Sequence, residues 1–428
     1  MAQDTVAVGD ASLWRHADFL KLWAAQSVSS FGARITREGL PFAAVMSLGA
    51  GPGQVGVLAA LSMGPSLLVG VFGGGLIDRT RRRGVLIAAD LGRALVLASI
   101  PLAAWLGVLG LAHLYLAAAL VGGLSVAFDI ADHAFLPILL RPDQLVDGNS
   151  RLAATESAAE VGGPALAGVL FQTLTAPIAI AVNAATYLAS AAVLATIRAA
   201  EPAPPPAPPG AAGHPLSDFL AGLGAAMGDA VIRPILLITT LSSLFGSFYS
   251  ALYIIMALKV LGLTPAMLGA TIAVGGVGAL IGAAAAGPAI RRLGVGPALV
   301  ASGVVTGAAS FLIPLAASPG LPGGRWGAMA MLMGAQLLGD SFGTITEIAA
   351  RSLRQAVTPQ ALMGRVGGVF AAAPGLTAVA GALAGGWLGG VIGPQDTVFI
   401  ASAGVTVVPA LGWFSALRGR REMVEIDA

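Results

Sequence analysis

Uncharged runs of about twenty Ala, Gly, Leu and Val residues recur along this chain, and they restrict its fold more than any other feature. A helix needs about 20 apolar residues to cross the hydrocarbon layer of a bilayer. Charged residues make up only 10% of the 428, against about 25% in soluble domains, so no single water-facing surface can be assembled from them. The runs are continuous, without the ten-residue alternation of apolar and polar positions that an outer-membrane barrel needs, which predicts helical spans and excludes the barrel. The lipid bilayer is therefore the first partner of this all-α integral membrane protein.

Read against their Gly, Pro and charged interruptions, the runs predict twelve spans near 19–48, 54–77, 85–109, 112–140, 150–173, 177–197, 232–258, 264–287, 295–317, 326–350, 362–392 and 397–417. An amino terminus in the cytoplasm puts Arg15, Lys21, Arg79, Arg81, Arg82, Arg83, Arg141, Arg151, Arg198, Arg233, Arg291, Arg292, Arg351, Arg354, Arg365 and the carboxy-terminal arginines on the inner side. Only Lys259 and Arg325 then fall outside, so the Lys/Arg bias predicts that both termini are cytoplasmic. The first residues lack a basic stretch followed by an apolar core, so the first span is expected to serve as the insertion signal. A run from Glu201 to Gly210 holds six prolines and reads as a semi-rigid linker. It divides the chain into a six-helix half over 1–198, a linker with a short amphipathic segment over 199–231, and a second half over 232–428. In that segment, His214 to Asp229, Phe219 and Leu220 are expected to face lipid.

Other counts exclude functions. The net charge of +2 comes from short basic clusters between spans, which topology explains without nucleic acid. With no cysteine there is no disulfide, thiolate metal site or thiol catalysis. Beyond Asp129 with His133, the one pair that an intramembrane enzyme or metal-binding protein could use, no constellation of nucleophile and base points to an enzyme, and no cofactor is expected.

The halves resemble each other. Pro142, Leu145 and the Ala-Leu-Ala-Gly at 165–168 recur 217 residues later, and Gly74 with its following charges recurs at Gly287, 213 residues on. Parallel six-span repeats about an axis along the membrane normal place a substrate site at the midplane between them. Gly74-Gly75-Leu76-Ile77-Asp78-Arg79-Thr80-Arg81-Arg82-Arg83 resembles the signature loop of the major facilitator superfamily, G-x-L-x-D-R-x-G-R-R/K, with Arg81 in place of the second Gly. Leu140 to Ser150, Gly163 to Gly168 and Thr358 to Val366 resemble the branch of macrolide-efflux proteins and the enterobactin exporter. The resemblance implies a major facilitator fold and proton-coupled efflux of drugs or siderophores, hence an antiporter of the cell inner membrane linked to drug resistance. Gly163, Pro164 and Gly168 resemble part of the antiporter motif G-P-x-x-G-G, with Ala167 in place of one glycine.

The loop signature gives a gating expectation. Asp78 is expected to approach the positive end of the eleventh span near Leu362 to Gly367, where Arg365 lies, and to hold the cytoplasmic side shut. Arg79, Arg82 and Arg83 can then pair with a carboxylate on the fourth span such as Asp132, although Arg81 to Arg83 also read simply as a topology anchor. Pro164 bends the fifth span, and the small residues around it allow close packing.

Charges inside spans mark the candidate site. Arg34, Arg37 and Glu38 stand near the middle of a first span about 45 Å long, where each charge costs about 2.5 to 3.5 kcal/mol. They share one helical face. Arg34 and Glu38, four residues apart, can neutralise each other; alternatively Glu38 carries a coupling proton while Arg37 meets substrate, which would suit an organic anion or siderophore. Asp129, Asp132 and His133 share a face of the fourth span and offer metal-type ligands, though a charge network with the loop arginines or Arg93 accounts for them equally. Asp340 is a further carboxylate, and Glu156 and Glu347 read as helix-end partners of Arg151, Arg351 or Arg354. The expected protein is a monomeric, proton-driven exporter of small molecules working by alternating access.

Overall fold

The computed structural model describes residues 13–72, 80–201 and 215–420. Among them all regular structure is helical, as it must be where lipid offers the backbone no hydrogen-bond partner. The first half contains α1 (Ala17–Phe42), α2 (Pro52–Phe72), α3 (Arg82–Trp105), α4 (Leu111–Leu139), α5 (Leu145–Thr173) and α6 (Ala176–Ala195). A surface helix, α7 (Pro215–Gly228), precedes α8 (Ile232–Ile255), α9 (Pro265–Leu293), α10 (Val295–Ser310) with its short continuation α11 (Leu312–Leu315), α12 (Gly324–Val357), α13 (Met363–Val391) and α14 (Pro394–Leu411).

Nine of the described helical segments are long and apolar enough to cross a membrane. Three more, α1, α5 and α12, have 26, 29 and 34 residues and so reach as far. They are less apolar because they carry Arg34, Arg37, Glu38, Glu156, Glu160, Asp340 and Glu347. The fold is thus the expected all-α, twelve-helix bundle. The tenth span runs past its expected end at 350, because Arg351 and Arg354 continue the helix beyond its apolar part. The first span ends in a π-helical turn, Ala43–Ser47, just after Pro41, a proline that removes a backbone donor from the helix.

Within the first half α3 packs on α4 and α6, and α1 on α5 and α6; within the second, α9 and α10 pack on α12, and α8 on α13 and α14. Two crossings join the halves, α2 with α13 and α5 with α9. Each is built on a pair of glycines. A Cβ on Gly168 would lie 2.9 Å from the Cα of Gly269 and 2.5 Å from the carbonyl oxygen of Pro265. Lipid provides no hydrophobic force between helices, so this backbone approach and its dispersion contacts hold the pair together.

The two faces of the bundle differ. At the face bearing the α1–α2 turn, one apolar core runs through both halves, from Leu40, Phe42 and Val55 to Ile254, Met267 and Leu332. The Lys259 ammonium donates to the carbonyls of Gly49 (3.2 Å) and Ala50 (2.9 Å), and the Ala266 N–H donates to Gln172 Oε1 (3.1 Å), so polar contacts also tie the halves there. At the opposite, arginine-rich face the cores are separate: Phe19, Leu86 and Phe135 in the first half, Ile235, Leu299 and Leu353 in the second. Between these cores the bundle is open.

The α7 helix forms where an amphipathic segment was expected, but only Leu220 is outward, 56% exposed. Phe219 turns the other way. It packs with Ile232, Leu236, Val366 and Val369, because Gly222 lets α7 settle against the backbone of Arg365 on α13. The linker prolines at 202–209 and His214 lie outside the described residues.

Candidate functional site

A cavity of about 1860 Å³ occupies the opening between the halves. The arginine-rich mouth is lined by Glu156, Glu347, Arg351, Arg354 and Arg365, and the closed end by Leu40, Pro41, Leu58, Tyr253 and Ile254. Its wall mixes apolar side chains with hydroxyls, among them Ser62, Ser66, Ser125, Ser242, Ser243 and Thr306. Amphipathic molecules fit such a lining better than strongly hydrated ones.

The charges on the wall come from α1, α3, α4, α5, α12 and α13, and the geometry decides which of them are paired. Arg34 Nη2 lies 2.5 Å from Glu160 Oε2 and 3.7 Å from Glu156 Oε1, and Arg37 Nη1 lies 3.5 Å from Glu160 Oε1. Two arginines of α1 thus face two glutamates of α5, a cluster of zero net charge. This corrects the expectation of an Arg34–Glu38 pair along one helix. It also corrects the pairing of Glu156 with Arg151, which binds Asp147 (3.2 Å) and lies over the Trp14 ring (4.4 Å). The reason is packing: a Cβ on Gly163 would fall 2.5 Å from Arg34 Cβ, so α5 comes close enough to α1 for its glutamates to reach across.

Glu38 lines the cavity with neither a hydrogen bond nor an ion pair among the described residues. Asp340 also lines it without an ionic partner among the described residues, its carboxylate set against α9, where a Cβ on Gly275 would lie 2.1 Å from Oδ2. Tyr253 stands within electrostatic range of both carboxylates, and its buried hydroxyl has no hydrogen-bond partner among the described residues. Glu38, Asp340 and Tyr253 come from spans one, ten and seven, and so from both halves.

Of the three α4 candidates only Asp129 reaches the cavity wall. Asp132 points to α1 and accepts a hydrogen bond from Gln26 Nε2, and His133 is exposed with Nδ1 2.7 Å from the backbone oxygen of Asp129. Their helical arc is wider than the strip of α4 that faces the opening. Among the described residues no three His, Asp or Glu side chains come together as a metal site.

Gly74, Asp78 and Arg79 lie outside the described residues. The described part of that loop does not form the expected latch with Asp132. Arg83 Nε donates to the Leu194 carbonyl (3.1 Å) and Nη2 to that of Ala195, while the Glu201 carboxylate accepts the backbone N–H groups of Arg82 and Arg83. These bonds cap α3 against the end of α6 within one half. Arg351 pairs with Glu347 (2.9 Å), as expected, and Arg354 lies over the Phe370 ring (4.7 Å).

A sequence profile now fixes the kind of protein to which this cavity belongs, because the Major Facilitator Superfamily profile matches residues 22–373. The chain belongs to the Major Facilitator Superfamily. As a transporter of that superfamily it is not an enzyme. No curated protein matches the sequence. Solved structures share the fold: a bacterial homologue of the iron transporter ferroportin in an inward-facing state is 19% identical, with a TM-score of 0.71 over 94% of this chain and 98% of that one. The nucleoside transporter NupG is 11% identical, with a TM-score of 0.74 over 94% of this chain and 99% of that one. A bacterial metal transporter is 18% identical, with a TM-score of 0.67 over 94% and 98%.

Two features of this superfamily member were missed in the sequence. Glu160 carries no signal for its role in its own helix, because its partners Arg34 and Arg37 come from another helix. Asp90, three residues before Arg93 inside an otherwise apolar span, offered the better signal, since a charge within a span is functional by default.

Proposed function

We propose that this protein is a secondary active exporter of drug-like, amphipathic molecules, driven by protons moving in the opposite direction. The halves over 1–198 and 232–428 rock about the closed end, and the linker over 199–231 bridges them. The observation that carries this reading is a cavity sealed at one end and open at the other, with Glu38 and Asp340 on its wall and no ion pair to either among the described residues, Arg34 and Arg37 acting on Glu38 only from a distance. An unpaired carboxylate in such a place takes up a proton or a cationic group, and competition between the two couples their movements.

The charges deep in the cavity, beyond the arginines of the mouth, favour substrates that carry positive charge. Arg34 and Arg37 face Glu156 and Glu160, which leaves Glu38, Asp340 and Asp129 as the cavity carboxylates without a salt bridge among the described residues, while Arg354 stands at the mouth over the Phe370 ring. One observation supports a second reading, export of an organic anion or siderophore: the Arg37 side chain is 60% exposed and holds Glu160 only at 3.5 Å. The Lys/Arg bias supports a cell inner-membrane location with the open mouth and both termini at the cytoplasm. The ferroportin homologue's inward-facing state agrees with that orientation. In this reading the monomer is the working unit.

Reconstitution into liposomes with an imposed pH gradient tests the proposal. Protein oriented with its arginine-rich face outward should concentrate a lipophilic monocation, such as tetraphenylphosphonium, in an acidic lumen, and a protonophore should abolish this. Accumulation only with an alkaline lumen would reverse the coupling. Preference for an organic anion such as p-aminohippurate would favour the second reading.

A further inference from the structure

A second group of charges lies behind the cavity wall, inside the first half. Asp90 and Arg93 stand one turn apart on α3 with side chains 0% and 2% exposed, and Arg93 Nη2 meets Asp90 Oδ1 at 2.5 Å. The guanidinium is held between the rings of Phe128 on α4 (4.5 Å) and Tyr187 on α6 (4.3 Å), and Nη1 reaches Ser125 Oγ at 3.4 Å.

This network is incomplete. Asp90 Oδ2, Arg93 Nε, the Tyr187 hydroxyl and the Ser190 hydroxyl are all buried, and none has a well-formed hydrogen bond among the described residues. Ser190 makes only a weak contact with Asp90, and Thr36 only a weak contact with Tyr187. Buried polar groups in folded proteins are nearly always paired, so four open positions around one ion pair point to a place that exchanges a proton or water. Arg93 also belongs to the cavity wall, as do Ser125, Phe128 and Asp129. Asp129 lies within electrostatic range of Arg93, and its carboxylate has no hydrogen bond or ion pair among the described residues. One guanidinium therefore stands between two carboxylates and pairs with the buried one.

We infer that Asp90 is a proton-binding site of the transport cycle and that Arg93 is the switch that reports its state to the cavity. A proton from cavity water bonds to Oδ2 and neutralises Asp90. Its new O–H donates to Ser190, and the guanidinium, still charged, turns to Asp129. Loss of the proton reverses each step. Arg93 on Asp129 removes a negative charge from the cavity wall, so proton binding here discharges a cationic substrate. From α4 and α6, the helices packed on α3, the titratable groups within electrostatic range of the pair are Asp129 and Asp132, with Tyr187 opposite; His133 is exposed beside these two carboxylates. His113 lies at the far end of α4 beside Ser99 Oγ (2.8 Å). The inference rests on the proton-coupled reading above and adds to it a site distinct from Glu38 and Asp340.

The test uses the full chain in nanodiscs without substrate, with spin labels at Ser150→Cys and Gln360→Cys across the arginine-rich mouth; the absence of native cysteine makes this pair unique. Distances are measured between about pH 4 and pH 9, which runs from ordinary carboxylate titration to above that of histidine. The parent distance should shift with pH, Asp90→Asn should hold the low-pH distance throughout, and Asp129→Asn should flatten the shift because the guanidinium has lost its second partner. A parent-like shift in either variant would overturn the inference. If Asp90→Asn does not fold, Asp90→Asn/Arg93→Gln removes both the proton site and the switch, and its distance should not shift with pH. A parent that neither shifts with pH nor accumulates substrate on a pH gradient would overturn the proton-coupled reading itself, whereas a parent that accumulates substrate without shifting overturns only the Asp90 site.

Discussion

Gly56 and Gly386 cross so closely that a Cβ on Gly56 would lie 2.9 Å from the Cα of Gly386, and one on Gly386 would lie 2.8 Å from the Cα of Gly56. This α2–α13 contact is matched on the other side of the bundle by Gly168 and Gly269 of α5 and α9. The two crossings hold the sealed end, so a side chain at either must separate the halves there. Gly56→Val is expected to destabilise the sealed state by about 1 to 3 kcal/mol, the usual cost of overpacking, a shift of roughly 5-fold to 150-fold in its equilibrium with the unsealed state. Spin labels at Ser47→Cys and Val260→Cys should report a longer distance. Gly64→Ala on the same helix, where a Cβ meets nothing within 4 Å, should leave the distance unchanged.

The uncharged runs made the twelve helices legible, because lipid leaves the backbone no alternative to the helix. The first half of that crossing pattern was also readable: Gly168 was picked out as a packing residue. The site was only partly legible. Glu38, Asp129 and Asp340 stood out as charges within spans and do line the cavity. Asp132 and His133 share their helix face yet point elsewhere, because periodicity fixes angles around a helix and not the width of the strip that a cavity uncovers. The partners of Arg34 were illegible, since Glu156 and Glu160 lie more than a hundred residues away and reach it only through the close approach of Gly163.

The α1–α5 charge cluster makes a prediction about stability. The Arg34 side chain is only 11% exposed, so Arg34→Gln leaves Glu156 and Glu160 facing each other without their main cation. Because the Glu160 and Glu156 side chains are 41% and 71% exposed, water screens the cluster, so breaking it from one side costs about 1 kcal/mol and removing both partners costs less. Thermal unfolding in detergent should therefore show a small fall in Tm for Arg34→Gln and recovery of most of it in Arg34→Gln/Glu160→Gln. Equal destabilisation of the two variants would mean that the cluster is not an interacting unit.

Asp340 owes its position to a missing side chain on α9. Gly275→Ala would put a Cβ 2.1 Å from Oδ2, and because a carboxylate is the movable end of its side chain, Asp340 would swing aside while the helices stay packed. Melting temperature should fall little, and equilibrium binding of a lipophilic monocation should weaken about tenfold, or about 1.4 kcal/mol. Gly246→Ala, with open space around it, provides the comparison. Unchanged binding in Gly275→Ala would remove Asp340 from the substrate site.

Glu38 separates neutralisation from coupling, and the geometry now gives the two roles different consequences. Arg34 and Arg37 meet Glu156 and Glu160, so Glu38→Gln strands no guanidinium, and the variant should express and melt like the parent. What it loses is a carboxylate able to exchange a proton for a cation at the closed end of the cavity. In vesicles it should still equilibrate a lipophilic monocation down its own gradient but fail to concentrate it against one when the lumen is acidic. Measuring both movements in the same preparation distinguishes loss of coupling from loss of protein. Full pH-driven accumulation by well-folded Glu38→Gln would take the proton away from α1 and leave Asp340 and Asp90 as its carriers.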